Sequence, residues 1–174
     1  MRLFIAINFS DATRARLLAL RDRLRDKSSR GNFSAEDNLH LTLVFLGECD
    51  QRQAAAVKKA MDAVCFGPIE ISIGRVGRFK RDGGDIWWAG AKESKALTDL
   101  QRGLTEKLIA AGLSPDTRPY SPHITLGREV VTVEKPYDCE PFGETASAID
   151  LMKSERVAGK LTYTAIYTKE HQKG

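Results

Sequence analysis

Two short segments of the chain share the order histidine, apolar residue, threonine, apolar residue. They are His40 to Leu43, reading His-Leu-Thr-Leu, and His123 to Leu126, reading His-Ile-Thr-Leu. Successive side chains of an extended strand point to opposite faces, so the histidine and threonine of each segment share one face and the apolar pair shares the other. Each segment therefore predicts a strand that buries two apolar side chains and presents an imidazole beside a hydroxyl.

Two facing histidines can carry out acid–base catalysis, because imidazole titrates near neutral pH and one ring can accept a proton while the other donates one. In-line cleavage of a phosphodiester by water has this requirement, since the attacking water loses a proton while the leaving oxygen gains one. Thr42 and Thr125 would donate hydrogen bonds to the non-bridging phosphate oxygens. His40, His123 and these threonines therefore predict phosphodiester cleavage with no metal ion and no other cofactor.

A single histidine in a strand is more often a half-buried polar residue than a catalytic one. The repetition favours function, because the chain has 3 histidines and two of them stand in near-identical segments. The third, His171, lies in a polar tail without a matching threonine, and we expect it to be inert.

Composition indicates an ordinary soluble chain. Its 174 residues are enough for one core, 42% are hydrophobic and 29% are charged. We expect one globular unit in the cytoplasm with no membrane contact, because no apolar run approaches the ~20 residues that span a bilayer, and residues 3–7 are too short for a signal-peptide core. The net charge of +4 is compatible with a polyanionic ligand.

The cysteines predict neither disulfides nor a structural zinc site. Cys49, Cys65 and Cys139 are an odd number and form no Cys-x-x-Cys pair. We expect reduced thiols without a functional role.

Hydrophobic periodicity predicts an alternation of strands and helices along the chain. The predicted helices follow the capping residues Ser10, Asp50 and Ser94, and Gly112 is placed to end the third one. Residues 27–37 and 134–143 are predicted to be loops. The predicted strands cover residues 2–8, 39–46, 69–79, 86–89, 123–131, 146–152 and 161–168.

The order of these elements predicts an α+β fold. A helix precedes each histidine strand, and the two histidine strands lie half a chain apart. This arrangement indicates two lobes related by an approximate two-fold axis, each giving its histidine strand to a shared cleft. Trp87 and Trp88 cannot both face the core of one regular strand, so we expect one in the core and the other near the groove. The loop that precedes the hairpin strand is predicted to be solvated or to contact an RNA backbone, because it carries four basic residues, Arg75, Arg78, Lys80 and Arg81.

The histidine segments resemble the two signatures of the two-histidine phosphoesterases. They lie within Asn-Leu-His-Leu-Thr-Leu-Val-Phe-Leu-Gly at 38–47 and Pro-His-Ile-Thr-Leu-Gly-Arg at 122–128. The nearest branch is that of the RNA 2′,3′-cyclic phosphodiesterases, also called 2′-5′ RNA ligases. The opening strand Leu-Phe-Ile-Ala-Ile, the strand Trp-Trp-Ala-Gly and the closing strand with Tyr-Thr are also similar to this family, so the resemblance covers nearly the whole chain.

The resemblance implies one bilobal catalytic domain over residues 1–174, with antiparallel sheets, outer helices and a central groove to which each lobe contributes one His-x-Thr-x motif. It implies hydrolysis of RNA or nucleoside 2′,3′-cyclic phosphates to 2′-phosphomonoesters. We expect the protein to be a monomer. By the same analogy His40 is the proton donor and His123 the acceptor. Arg128 matches a family position and would bind phosphate or stack on a base. Phe45 would stack on a base, although strict alternation places it on the apolar side of its strand.

Two alternative functions use the same residues. The groove could join RNA ends through a 2′-5′ linkage. Alternatively, the motifs could hold phosphate in an RNA-binding module that shows salt-dependent binding without turnover.

Overall fold

The structure of the protein is a computed structural model that describes residues 1–172. The described residues form three α-helices and nine strands. The helices are α1 (Asp11–Asp26), α2 (Gln51–Ala63) and α3 (Lys95–Ala110). The strands are β1 (Arg2–Asn8), β2 (Ser28–Phe33), β3 (His40–Glu48), β4 (Ile69–Phe79), β5 (Asp85–Ala91), β6 (His123–Thr132), β7 (Tyr137–Ala146), β8 (Ala148–Val157) and β9 (Lys160–Glu170).

The strands form two antiparallel sheets with matching orders. One sheet has the order β3-β1-β8-β9, and the other has the order β2-β6-β5-β4-β7. The two histidine strands, β3 and β6, therefore belong to different sheets. Strand β3 pairs with β1, and β6 pairs with β5. In both pairs one α-helix lies between the two strands in the sequence. The second sheet repeats the first and adds β2 at the β6 edge.

One hydrophobic core connects the two sheets. It contains Leu41 and Leu43 of β3 together with Ile124 and Leu126 of β6, so the alternation predicted for both histidine strands is present. Helix α1 packs against β2, β6 and β7, whereas α3 packs against β3 and α2. The faces of the sheets that carry His40 and His123 point away from this core, and we call them the groove faces.

The helices begin close to the predicted capping residues. Asp50 forms the predicted capping box with Gln53, in which the Gln53 backbone N–H donates to the Asp50 carboxylate at 2.7 Å. The Ser94 hydroxyl accepts from the Leu97 N–H at 3.2 Å. Ser10 also precedes a helix, but its hydroxyl donates to Glu144 at 2.8 Å instead of capping α1.

Both predicted loops contain strands. Residues 28–33 form β2, an edge strand whose polar composition fits its exposure. Residues 137–146 form β7 at the opposite edge, where the irregular pairing with β4 around Pro141 tolerates the missing N–H of proline. The loop predictions were wrong because the sequence of an exposed edge strand does not have to alternate between apolar and polar residues.

Candidate active site

Contact between β3 and β6 brings together the groove faces of the two sheets. Burial is the main cause of the lowered pKa of His40, and the neighbouring Arg128 and His123 lower this pKa further. The two histidines predicted from the repeated segments thus lie on two strands that contact each other, although these strands belong to different sheets. Both histidine residues are partly exposed, and neither belongs to the hydrophobic core.

His40 is held between two aromatic rings. Its imidazole stacks on Phe4 of β1 with ring centroids 4.8 Å apart, and the edge of Tyr163 from β9 meets it at 5.1 Å. The Thr42 hydroxyl lies 3.0 Å from Nε2 of His40. The imidazole and hydroxyl that share one face of β3 therefore already form a hydrogen-bonded pair.

His123 has a corresponding environment built from other strands. The ring of Phe79 from β4 meets it edge-on at 5.2 Å, and Trp88 of β5 lies at 6.4 Å. Nδ1 lies 2.6 Å from the carbonyl oxygen of Ser121. A carbonyl can only accept a hydrogen bond, so Nδ1 carries the proton and Nε2 is left as the basic nitrogen of the neutral ring. Thr125 follows His123 by two residues in β6 and pairs with Trp88 of β5.

Burial lowers the pKa of both histidines. The pKa of His40 falls from 6.5 to about 4, mainly because burial disfavours the charged ring and further because Arg128 and His123 repel it. The Asn38 carbonyl raises the pKa of His40, but Nδ1 has no hydrogen bond of good geometry to any described residue. Burial and the charge of Arg128 also lower the pKa of His123. Both rings are therefore neutral at pH 7 before an anion binds.

Lowering the pH from 7 to 5 is expected to reduce the free energy of unfolding. The unfolded chain takes up protons at His40 near its ordinary pKa of 6.5, whereas the folded chain does so near 4. Stability is therefore lost as the pH falls through this window, by at most about 1.4 kcal/mol per pH unit for this residue. Urea denaturation at pH 7, 6 and 5 measures the effect. A His40→Asn variant should depend less on pH, and an unchanged dependence in that variant would contradict the assignment.

Hydrogen bonds from neighbouring segments fix the backbone of both motifs. The Tyr120 hydroxyl donates to the carbonyl of Thr42 at 2.9 Å, and thereby joins the loop before β6 to β3. The Ser34 hydroxyl donates to the carbonyl of Thr125 at 2.8 Å. Both hydrogen bonds use the carbonyl of the threonine and leave its hydroxyl to other partners, which for Thr42 is His40.

Arg128 and Phe45 lie at the exposed border of the site. Arg128 is exposed, and its charge acts on His40, His123 and Tyr163. Phe45 is 44% exposed and faces the Arg2 guanidinium, 5.5 Å from the ring centroid.

The expectation that Phe45 lies on the apolar side of its strand was wrong. An irregularity in the β1–β3 pairing opposite Ile5 and Ala6 lets Leu43 and Val44 both enter the core. This bulge reverses the alternation of buried and exposed side chains after Val44. The side chain of Phe45 therefore points away from the core, to the same face as Thr42.

Several residues around the histidines were missed from the sequence. These are Phe4, Phe79, Tyr120 and Tyr163. Phe4 lies on the opposite face of β1 from Leu3 and Ile5, but residues 3–7 are all apolar and buried, so no alternation marked it. The other three come from distant strands and a loop, and no local pattern connects them with a histidine.

The remaining predicted features lie apart from the histidines. His171 follows β9, and its backbone N–H donates to the carbonyl of Ser147 at 2.8 Å. Cys49, Cys65 and Cys139 are free thiols. Within residues 1–172, no three histidine, cysteine, aspartate or glutamate side chains come together as a possible metal site. None of the helices in this range is long and apolar enough to cross a membrane.

Known proteins are similar to this chain in sequence and in fold. An RNA 2′,3′-cyclic phosphodiesterase of Archaeoglobus fulgidus is 34% identical over 151 residues, which cover 83% of this chain and 85% of that protein. One from Escherichia coli is 30% identical over 139 residues, covering 78% and 77%. The crystal structure of E. coli LigT complexed with 3′-AMP superimposes with a TM-score of 0.86 over 99% of this chain and 98% of that chain, at 24% identity.

The structural likeness confirms the predicted α+β fold with two antiparallel sheets. A family model described as the 2′-5′ RNA ligase superfamily matches residues 9–148. This match covers most of the chain and includes both His-x-Thr-x segments. The chain therefore belongs to the 2′-5′ RNA ligase superfamily.

Proposed function

We propose that this protein hydrolyses RNA or nucleoside 2′,3′-cyclic phosphates to 2′-phosphomonoesters. The observation that carries the proposal is the contact between β3 and β6, the strands of different sheets that bear the two His-x-Thr pairs. The relatives named RNA 2′,3′-cyclic phosphodiesterase support the same substrate class. His40 and His123 are the proposed catalytic residues, and Thr42 and Thr125 are proposed to bind the phosphate.

The protonation states of the free site explain how a bound anion would prepare it for reaction. A cyclic phosphate carries a negative charge, which favours the imidazolium form and raises the pKa of His40 from about 4. Once Nε2 of His40 is protonated, it can only donate a hydrogen bond, and the Thr42 hydroxyl can donate to a phosphate oxygen. Substrate binding would thereby produce the acid that the reaction requires.

The proposed step transfers one proton at each histidine. Nε2 of His123 accepts a proton from water while the water oxygen forms a bond to phosphorus. The bond between phosphorus and the 3′ oxygen breaks, and this oxygen takes the proton from Nε2 of His40. The products are a 2′-phosphomonoester and a free 3′-hydroxyl. Thr42 and Thr125 stabilise the charge on the non-bridging oxygens during this step.

Arg128 and Phe45 are proposed to bind the substrate at the edge of the groove. The exposed guanidinium of Arg128 acts on both histidines and would attract the phosphate or stack on the base. The exposed ring of Phe45 would offer a second stacking surface.

We also infer that residues 1–174 act as one monomeric catalytic domain in the cytoplasm, without a metal or another cofactor. The core that extends across both sheets supports a single domain, because neither sheet buries its apolar face alone. The two sheets would then contribute one His-x-Thr-x motif each.

The test is incubation with a nucleoside 2′,3′-cyclic phosphate in the presence of EDTA. We expect full activity with the chelator, because the proposed proton carriers are imidazoles, and we expect the nucleoside 2′-monophosphate as product. Separation of the 2′ and 3′ isomers by chromatography identifies the broken bond. Loss of turnover on chelation, or accumulation of the 3′ isomer, would contradict the proposed step.

Ligation is the second candidate function, favoured by the description of the matching family as a 2′-5′ RNA ligase superfamily. Attack of an RNA 5′-hydroxyl in place of water would form a 2′-5′ linkage by the same proton transfers. RNA fragments with cyclic-phosphate and 5′-hydroxyl ends separate the two functions. Hydrolysis is expected to exceed ligation, and the reverse ratio would favour the ligase.

A further inference from the structure

A cavity of about 580 Å³ lies on the groove face of the five-stranded sheet, beside His123. Small-molecule sites occupy volumes of ~300–1,000 Å³, so the cavity can accept a ligand of considerable size. Its lining includes Arg75, Trp88, Lys92, Glu93 and Ser121. The proposed hydrolysis uses none of these side chains directly.

Two residues connect the cavity with the histidine site. The carbonyl of Ser121 accepts the hydrogen bond from Nδ1 of His123, and Ser121 also lines the cavity. The Trp88 ring lies 6.4 Å from the His123 ring and forms part of the cavity wall. A ligand with a phosphate at His123 can therefore continue into the cavity along one surface.

Trp88 provides a rigid aromatic surface in this wall. Its six-membered ring lies directly over Gly77 and Gly90, where a Cβ atom would collide with the ring at Gly77 and come within 3.0 Å of it at Gly90. The absence of side chains at these glycines lets the indole lie against the sheet. Nε1 is buried without a hydrogen-bond partner among the described residues. An aromatic ring held in this way is suited to stacking on a nucleic-acid base.

The cavity also carries cations that are free to bind an anion. Arg75 and Lys92 are exposed, and neither forms an ion pair within residues 1–172. Glu93 is the only carboxylate among the lining residues that the structure describes, so the lining has an excess of positive charge. A phosphodiester with one negative charge complements it.

We propose that this cavity binds the nucleotide on the 5′ side of the cyclic-phosphate nucleotide, with its base on Trp88 and its phosphate near Arg75 and Lys92. This inference rests on the proposed function, because the substrate must extend away from a terminal phosphate held at the histidines. A subsite of this kind predicts that the protein prefers an RNA end to a free cyclic nucleotide as its substrate.

The experiment compares two substrates that end in the same cyclic nucleotide, one a mononucleoside and the other a dinucleotide. Stacking on one aromatic ring increases affinity by about 5- to 150-fold, and we expect kcat/KM to be higher for the dinucleotide by a factor in this range. The Arg75→Ala/Lys92→Ala double variant should lower this ratio at least fivefold. An Arg52→Ala variant, which removes an exposed positive charge from α2, should keep the ratio of the wild type.

Either of two results would overturn the subsite. One is an equal kcat/KM for both substrates in the wild type, and the other is an unchanged ratio in the double variant. If neither substrate is turned over, the proposed hydrolysis itself fails. The cavity is then tested by tryptophan fluorescence, which measures the binding of non-reacting 2′-phosphorylated mono- and dinucleotides. Equal dissociation constants would refute the proposed subsite, and a lower dissociation constant for the dinucleotide would support it.

Discussion

Replacing His40 or His123 by alanine is expected to lower kcat/KM for a cyclic phosphate by about 10² to 10⁴, which is the contribution of general acid–base catalysis. Each substitution removes one of the two proton carriers that the proposed step requires. The double variant should lose much less than the product of the single losses, because two groups that act as a unit are not additive. Initial rates at saturating and low substrate concentrations provide the measurement.

The third histidine provides a control for these variants. His171 lies beyond β9 and away from the histidine site, so His171→Ala should retain the rate of the wild type. Circular dichroism of each variant separates a catalytic loss from unfolding. Full activity of either His40→Ala or His123→Ala would remove the proposed mechanism.

Replacing Trp87 by alanine is expected to reduce the free energy of unfolding by about 3–5 kcal/mol. Trp87 is fully buried in the core that connects the two sheets, and its removal leaves a cavity that the surrounding strands cannot close. Urea denaturation followed by circular dichroism measures the change.

The matched variant Trp87→Phe should lose clearly less stability. Phenylalanine retains most of the buried apolar volume, and the change deletes an indole N–H that has no hydrogen-bond partner among the described residues. A Trp87→Ala protein within about 1 kcal/mol of the wild type would show that this part of the core is not tightly packed.

The histidine strands could be predicted because their signal is local. Alternation over four residues places His40 and Thr42 opposite Leu41 and Leu43, and burial of the two leucines reproduces this pattern. The caps at Asp50 and Ser94 are equally local, since each depends on a residue three positions away. The sequence also predicted that the paired tryptophans divide between the core and the groove, and Trp87 occupies the core.

Features that depend on distant pairing could not be read from the sequence. β2 and β7 are strands because β6 and β4 supply their hydrogen-bonding partners, while their own composition is typical of loops. Arg75 and Arg78 lie within β4, so the basic residues begin before the turn. The bulge that exposes Phe45 arises from the pairing with β1, and the ring of Tyr163 reaches His40 from the far end of the chain.

The central claim is that one phosphate is held between His40 and His123. The most direct test is an NMR titration of the imidazole protons with inorganic phosphate at constant pH. We expect the resonances of His40 and His123 to shift together with one dissociation constant and one equivalent of phosphate, while those of His171 do not move. Saturation of the two resonances at different phosphate concentrations, or movement of only one of them, would show that the two histidines do not hold the same phosphate.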